Sequence, residues 1–196
     1  MHDLSEILAG TWTSLADGLA HARDPFHTPT VGTVREGRPV VRTVVLRHLD
    51  ADEGVIGFNT DRRSPKLADL ETTPELAWHL YDRARKLQLR LRGAASVHIN
   101  DDVADRAWDE VTPLGRRCYG QALKPGASSD DPQLPLPSLE DLEAGDPALL
   151  AQCRENFSVV RCRVTEIDWL YLEFRGHQRA RFTRVESEWQ GRWIAP

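Results

Sequence analysis

Two arginines at the ends of a short β-rich segment are the side chains best suited to bind an anion. Arg42 and Arg47 enclose three β-branched residues and one leucine. Side chains alternate along a strand, so one continuous strand would place the two guanidinium groups on opposite faces. Arginine forms bidentate contacts with phosphate and carboxylate groups. An anion site and a barrel strand with two solvated arginines both remain open, since arginine is mostly a surface residue.

A second candidate for anion binding is the sequence Ser64-Pro65-Lys66. Ser64 fits the N-cap, and Pro65 the first position, of a short helix that runs to about Glu71. The unpaired amide groups at the start of such a helix, together with Lys66, could receive a phosphate. The alternative is a well-capped surface helix in which Lys66 binds no ligand.

Neutral hydrogen-bonding groups accompany these cations on other β-rich runs. Residues 86–99 alternate apolar and polar side chains, which predicts a strand with one core face and one polar face. Gln88 lies on the polar face, where its amide offers both a donor and an acceptor. Asn59 and Thr60 end an earlier run. Together with the arginines, these groups could bind a phosphorylated heteroaromatic molecule.

The overall charge favours a small-molecule ligand. A formal net charge of −5 and a pI near 5.8 argue against a nucleic-acid partner or an anionic membrane surface. Three cysteines without metal-spaced histidines predict reduced thiols and no metal site. No signal-peptide pattern and no segment of membrane-spanning length is visible, so a soluble, cytoplasmic protein is expected.

Hydrophobic periodicity predicts a single domain over residues 1–196 that is mainly β with helical insertions. An amphipathic helix is expected within residues 1–22, and short helices near 64–71, 101–108 and 115–119. The β-rich runs cover residues 28–34, 39–49, 54–60, 76–81, 86–99, 157–169, 176–184 and 189–195. Residues 124–147 are rich in Pro, Ser, Asp and Gly and predict a long surface loop, either a lid or disordered. About six short strands favour an antiparallel barrel over a parallel nucleotide-binding fold.

The order of the motifs resembles that of the pyridoxamine 5′-phosphate oxidase-related, FMN-binding split-barrel proteins, from Thr28 to Pro196. The motif R-x-V-x-L-[KR] at 42–47 is followed by a strand ending Phe58-Asn59-Thr60, by S-x-K at 64–66 and by the glutamine of Leu87-Gln88-Leu89. The oxidases end with W-x5-R-x-H-x-R, a later Trp and a terminal A-P, met here by Trp169, Arg175, His177, Arg179, Trp189, Ala195 and Pro196. In a second register, Arg181-Phe182 takes the place of the family's R-F pair and shifts the arginines by two residues.

The resemblance implies a six-stranded antiparallel FMN-binding split barrel with an N-terminal helix, assembled as a homodimer with the flavin at the interface. The FMN phosphate would be bound by Arg42, Lys66 and the helix start at Ser64. The ribityl chain and ring would be lined by Thr43, Val44, Val45, Leu46, Arg47, Asn59, Thr60 and Gln88. Trp169 with Arg179 or Arg181 would close the site, and the other subunit would supply Arg116, Arg117, Tyr119 and Gln121.

Arg175 and His177 would face the substrate, with His177 as a candidate proton donor. The alternative for His177 is a residue of the turn that contains Gly176. These roles make the chain an FMN-dependent oxidoreductase, in which the protein orients the flavin and tunes its ring. The alternative is a non-catalytic split-barrel module that binds flavin or haem.

Two departures from the family pattern alter these expectations. Pro65 stands where the oxidases have the arginine of S-R-K, so a lower FMN affinity is expected. The oxidases also bind the substrate phosphate with a Tyr, an Arg and a Ser on the helical insertion after the Gln88 strand, and residues 107–117 retain none of the three in the simplest register. Arg116 or Arg117 could compensate. A small-molecule substrate other than pyridoxamine phosphate is therefore expected.

Overall fold

A fifteen-residue strand in the last third of the chain holds the sheet together. In the computed structural model, which describes residues 3–196, nine antiparallel strands form one sheet. The strands are β1 Thr30–Arg35, β2 Arg38–Thr43, β3 His48–Asp50, β4 Val55–Asp61, β5 Glu75–Asp82, β6 Leu87–His98, β7 Phe157–Tyr171, β8 Gln178–Val185 and β9 Glu188–Trp193. The helices are α1 Leu4–Ala20, α2 Pro65–Thr72, α3 Asp102–Asp109, α4 Pro113–Arg116, α5 Leu139–Glu143 and α6 Pro147–Glu155. Short 3₁₀ turns lie at Pro25–His27 and Arg117–Tyr119.

The sheet order is β2-β1-β5-β6-β7-β4-β3, with β8 on β7 and β9 on β8. The first half of β7 pairs with β4 and the second half with β8, while β6 pairs along its other edge with a bulge between Arg92 and Gly93. This arrangement confirms the predicted antiparallel class with helical insertions. The number of strands is nine rather than six, because the run 39–49 divides into two strands and the last β region supplies three.

The prediction of one continuous strand over residues 42–47 is wrong. β2 ends at Thr43 and β3 begins at His48. Between them the backbone changes partners: the Leu46 amide donates to the His27 carbonyl, whereas the Arg47 amide donates to the Gly57 carbonyl, each at 2.9 Å. Leu46 is fully buried, so this crossing is anchored in the core. Arg42 and Arg47 therefore belong to different strand pairs.

The N-terminal helix is confirmed as α1. Asp3 and Glu6 form a capping box at its start, which satisfies amide groups that the helix itself leaves unpaired. Its buried face presents Trp12, whose ring centroid lies 6.1 Å from that of Trp189 on β9. Gly18 allows close packing on Phe26, since a Cβ there would lie 2.7 Å from the Phe26 side chain. Residues 1 and 2 of the predicted 1–22 segment lie outside the described residues.

Two further predictions need correction. The predicted loop over 124–147 contains α5, whose Leu142 is buried, and ends at the first residue of α6. Composition alone misses such a short helix, because one buried apolar residue is enough to dock it. α2 begins at Pro65 as predicted, but the Ser64 side chain makes no capping hydrogen bond and accepts one from Lys66 instead. Within residues 3–196, no helix has the length and apolar character needed to span a membrane.

Candidate functional site

A cationic group of side chains lies where β4 leads into α2. We call it the Lys66 pocket; it consists of Arg42, Thr60, Ser64 and Lys66. The Lys66 ammonium donates to Thr60 Oγ1 at 2.7 Å and to Ser64 Oγ at 2.8 Å. No carboxylate among residues 3–196 lies within ion-pair distance of it. A half-buried lysine that bonds only neutral hydroxyl groups has room for an anionic partner.

Arg42 contributes the second cation of this pocket. Its guanidinium donates to Thr33 Oγ1 at 2.7 Å and lies 3.4 Å from the carboxylate of Asp69, which also pairs with Arg35 at 2.8 Å. Burial lowers the pKa of Lys66 to about 8, and the charge of Arg42 acts in the same direction. Arg35 and Arg42 thus share the carboxylate of Asp69, and Lys66 adds a third positive charge nearby. The local excess of two positive charges matches the charge of a phosphate monoester.

A second group of polar side chains lies on the outer face of the sheet. Gln88 Oε1 lies 3.3 Å from His79 Nε2 on the neighbouring strand. Further along this face, Asp168 on β7 accepts hydrogen bonds from Arg90 at 2.8 Å and from two nitrogens of Arg179 at 3.0 and 2.8 Å. Although burial opposes its ionisation, the hydrogen bonds from Arg179 and the charge of Arg90 hold the pKa of Asp168 below its ordinary value. Asp168 thus orients the arginines around it.

Arg179 and Arg181, the arginines of the two alternative C-terminal registers, lie on the same outer face of the sheet. Arg179 and Arg181 are two residues apart on β8, so their side chains point the same way. Arg181 lies 3.6 Å from Asp168, which also binds Arg179. A cavity of about 460 Å³ is lined by both arginines together with His79 and Val41. The shift of two residues therefore does not change which face carries the arginines.

The other C-terminal site residues predicted from the sequence, Trp169, Arg175 and His177, do not lie on this outer face. Trp169 points to the core side, where it is opposite Leu89 and stacks on Tyr171 with ring centroids 6.1 Å apart. Arg175 and His177 lie in the exposed turn between β7 and β8, beside the fully exposed Phe174. Within this chain, neither Arg175 nor His177 contacts the Lys66 pocket.

A third polar group lines a cleft between β3, β4 and the helical insertion. This cleft, of about 390 Å³, contains Arg47, His48, Asn59 and Tyr119. His48 Nε2 lies 2.6 Å from Asn59 Oδ1. Tyr119 packs edge-on against Phe157, and burial raises the pKa of its hydroxyl. The sequence resemblance predicts that Tyr119 acts on the flavin of a partner subunit. In this structure, Tyr119 lines the same cleft as Arg47 of its own chain.

The remaining residues of that segment stabilise the fold in this protomer. Arg116 lies over the Trp108 ring at 4.8 Å and donates to its carbonyl at 3.2 Å. Arg117 donates to the Pro137 carbonyl at 2.6 Å. The Gln121 carbonyl accepts a hydrogen bond from Arg63 at 2.9 Å. Neither Arg116 nor Arg117 lines the cleft.

Sequence reasoning missed three residues that shape these groups. Asp69 and Asp168 are buried carboxylates that hold arginines of the Lys66 pocket and of the outer face. A signal existed for Asp168, because it is an acidic residue between Ile167 and Trp169 in a strongly β-rich run. His48 had no comparable signal, since a lone histidine beside Arg47 is unremarkable in sequence.

Known proteins share both the sequence pattern and the fold. Residues 9–99 match the family model described as pyridoxamine 5′-phosphate oxidase, FMN-binding domain. A protein from Deinococcus deserti, described as a pyridoxine/pyridoxamine 5′-phosphate oxidase, is 28% identical over 176 residues, which cover 85% of this chain and 78% of that protein. The prediction of FMN as cofactor is confirmed by these matches.

Two solved structures have a similar fold. The crystal structure of a pyridoxamine 5′-phosphate oxidase-related, FMN-binding protein from Nostoc punctiforme has a TM-score of 0.73 at 23% identity and covers 96% of either chain. PhzG from Burkholderia lata, solved in complex with tetrahydrophenazine-1-carboxylic acid, has a TM-score of 0.70 at 22% identity and covers 97% of this chain and 91% of its own. The predicted split-barrel fold class is confirmed.

Proposed function

We propose that this chain, whose residues 9–99 match the pyridoxamine 5′-phosphate oxidase, FMN-binding domain, is an FMN-dependent oxidoreductase acting on a small molecule other than pyridoxamine 5′-phosphate. The observation that carries the proposal is the Lys66 pocket. A half-buried ammonium without a carboxylate partner among the described residues, next to a second cation, is an arrangement that a bound phosphate would stabilise.

The donors of this pocket fit the FMN phosphate. Lys66 offers an ammonium, Ser64 and Thr60 offer hydroxyl groups, and Arg42 brings the second positive charge. The position of Pro65, where related oxidases have an arginine, leaves Lys66 as the cation nearest the start of α2. When bound, FMN supplies the acceptance and return of a hydride. The chain binds the phosphate, orients the ring and excludes water from one side of it.

We further propose that two copies of this chain share each flavin. Arg42 lies directly opposite Val31, which is opposite Trp78, so its side chain is on the core side of the sheet. Gln88 alternates with the buried Leu87 and Leu89 and therefore lies on the outer face. One FMN that contacts both faces would span two protomers. This supports a homodimer in which Gln88, Arg179 and Arg181 serve the flavin of the partner.

Co-expression of two defective variants tests this sharing. If Lys66 and Gln88 act on the same flavin from different protomers, a mixture of Lys66→Met and Gln88→Ala chains regains tight FMN binding in about a quarter of its sites, because half of randomly formed dimers are mixed and each has one intact site. Fluorescence titration with FMN counts these sites. Each variant alone should be dimeric and bind FMN weakly. If the mixture then regains no tight FMN sites, both residues act within one protomer.

The pH dependence of FMN binding tests the role of Lys66. The pKa of Lys66 is about 8 in the free protein, and a phosphate beside the ammonium would raise it. Affinity should therefore be complete below pH 8 and fall above it, by up to about tenfold per pH unit. FMN titrations between pH 6.5 and 9.5 measure this. The Lys66→Arg variant, whose charge persists over this range, should show a flat profile.

Oxidoreductase activity is tested by the fate of the bound flavin. Anaerobic addition of NADPH or of a candidate amine should bleach the flavin absorbance of the loaded protein, and air should restore it. Pyridoxamine 5′-phosphate at saturating FMN should release no hydrogen peroxide, whereas rapid release would refute the proposed change of substrate. A flavin that no donor reduces would favour a non-catalytic flavin-binding module.

A further inference from the structure

His48 and Arg161 lie on either side of Gly57, across three paired strands. In the sheet, His48 on β3 lies directly opposite Gly57 on β4, and Gly57 lies directly opposite Arg161 on β7. Residues opposite one another in an antiparallel sheet have side chains on the same face. A Cβ at Gly57 would lie 3.3 Å from the His48 ring and only 2.5 Å from the Val160 carbonyl. Gly57 therefore lets the three strands pack closely, with His48 and Arg161 on the same face.

A hollow lined by His48 and Arg161 is a second lobe of the cleft that contains Tyr119. It has a volume of about 370 Å³ and shares Arg47, His48 and Glu110 with the first lobe. The charged groups around it are three arginines and two carboxylates, contributed by β3, α3 and β7 and by the crossing before β3: Arg47, Asp50, Arg106, Glu110 and Arg161. These five side chains together carry a net positive charge.

Arg47 and Arg161 have no carboxylate partner. Neither forms an ion pair or a side-chain hydrogen bond with any residue from 3 to 196, whereas Arg163, two residues further along β7, pairs with Glu53 at 3.1 Å. His48 adds no positive charge at neutral pH, since burial lowers its pKa and the charges of Arg161 and Arg47 lower it further. The His48 ring lines the same lobe, with its Nε2 hydrogen-bonded to Asn59 Oδ1 at 2.6 Å.

We propose that this lobe binds an anionic group of the substrate, a carboxylate or a phosphate, and that Arg161 is a specificity-determining residue for it together with Arg47. The proposal rests on the proposed function, in that the ligand of the cleft is the molecule oxidised. The apolar residues of the adjoining lobe, Val45, Ala107 and Val111, suit the uncharged body of a small planar molecule. Arg161 approaches from the sheet, opposite the helical insertion that contributes Arg106 and Glu110 to the same lobe.

Calorimetric titration of the FMN-loaded protein with benzoate, phenyl phosphate and benzyl alcohol tests this. We expect at least one anion to bind, Arg161→Gln to weaken it by about tenfold, and Arg47→Gln to do the same. The matched control is Arg163→Gln, which removes an equally charged side chain from the same strand outside the cleft and should leave the anion affinity unchanged. Benzyl alcohol should not distinguish the variants.

The comparison of benzoate with phenyl phosphate distinguishes the possible outcomes. An effect on benzoate alone identifies a carboxylate, and an effect on phenyl phosphate alone identifies a phosphate. Equal anion affinity in the wild type and Arg161→Gln, or binding of neither anion, would overturn the proposal. FMN affinity should be the same in Arg161→Gln and the wild type. Since calorimetry detects the anion with or without flavin, failure of the chain to bind FMN would count against the proposed function separately.

Discussion

Replacement of Lys66 by methionine is expected to weaken FMN binding by about 1.5–3 kcal/mol, or roughly 10- to 150-fold. The substitution keeps the length and the apolar stem of the side chain but removes the charge that faces the phosphate. Among residues 3–196, Lys66 has only Thr60 and Ser64 as side-chain hydrogen-bond partners, so its loss leaves no buried carboxylate of that range unpaired. Fluorescence titration with FMN measures the effect.

Two controls make this result specific. Lys66→Arg retains the charge and should retain most of the affinity, although its planar group cannot reproduce the ammonium contacts fully. Lys86→Met removes a surface lysine that pairs with Glu173 and should leave FMN binding unchanged. An Lys66→Met protein that binds FMN as tightly as the wild type would place the phosphate elsewhere.

Arg42 is a less direct probe of the same pocket. The sequence alone leads to the expectation that Arg42→Ala weakens FMN binding by about 1.5–3 kcal/mol, the usual size of a hydrogen bond to a charged group. In the structure, however, Arg42 also donates to Thr33 and pairs with the buried Asp69. Its removal would therefore lower stability as well as affinity. Thermal melts of the flavin-free variant separate the two effects.

Replacement of Asp168 by asparagine is expected to cost about 2–3 kcal/mol of stability, below the range for a fully buried pair because Arg90 is half exposed. The isosteric amide removes the negative charge that three arginines surround, at 2.8 Å from Arg90 and Arg179 and 3.6 Å from Arg181. For a chain of this size, the melting temperature should fall by roughly 5–10 °C. Differential scanning calorimetry measures it.

The pH profile of stability gives a further check on Asp168. Its pKa is lowered in the folded protein, so its contribution is complete above the ordinary pKa of an aspartate and is lost as the pH falls through the lowered value. The difference in stability between the wild type and Asp168→Asn should therefore shrink in acid. Glu166→Gln, which removes a more exposed carboxylate of the same face, is the matched control. Equal melting temperatures for wild type and Asp168→Asn at pH 7 would contradict this account.

Motif order in the sequence named three residues of the Lys66 pocket, Thr60, Ser64 and Lys66, which lie within one strand-to-helix connection. Pro65 at the first position of α2 places the start of the helix there, although Ser64 bonds Lys66 rather than capping the helix. The continuous strand over 42–47 was wrongly predicted. Local β propensity does not reveal that Leu46 and Arg47 take different backbone partners, which only the tertiary fold decides.

Long-range contacts were beyond prediction from residue types. Asp168 meets Arg90 only because β6 and β7 pair in one particular register, and a slip of either strand by one residue would place the two side chains on opposite faces of the sheet. The alignment of His48, Gly57 and Arg161 likewise depends on the pairing of β4 with β7, which lie far apart in the chain. Sequence periodicity indicated which strands have a polar face. It did not indicate which polar faces are neighbours.

Comparison of FMN with riboflavin measures the central claim most directly, because the two ligands differ only in the phosphate. The wild-type protein should bind FMN at least about tenfold more tightly than riboflavin. In Lys66→Met, this preference should largely disappear, with riboflavin affinity unchanged. Equal affinity of the wild type for FMN and riboflavin would contradict a phosphate site at Lys66.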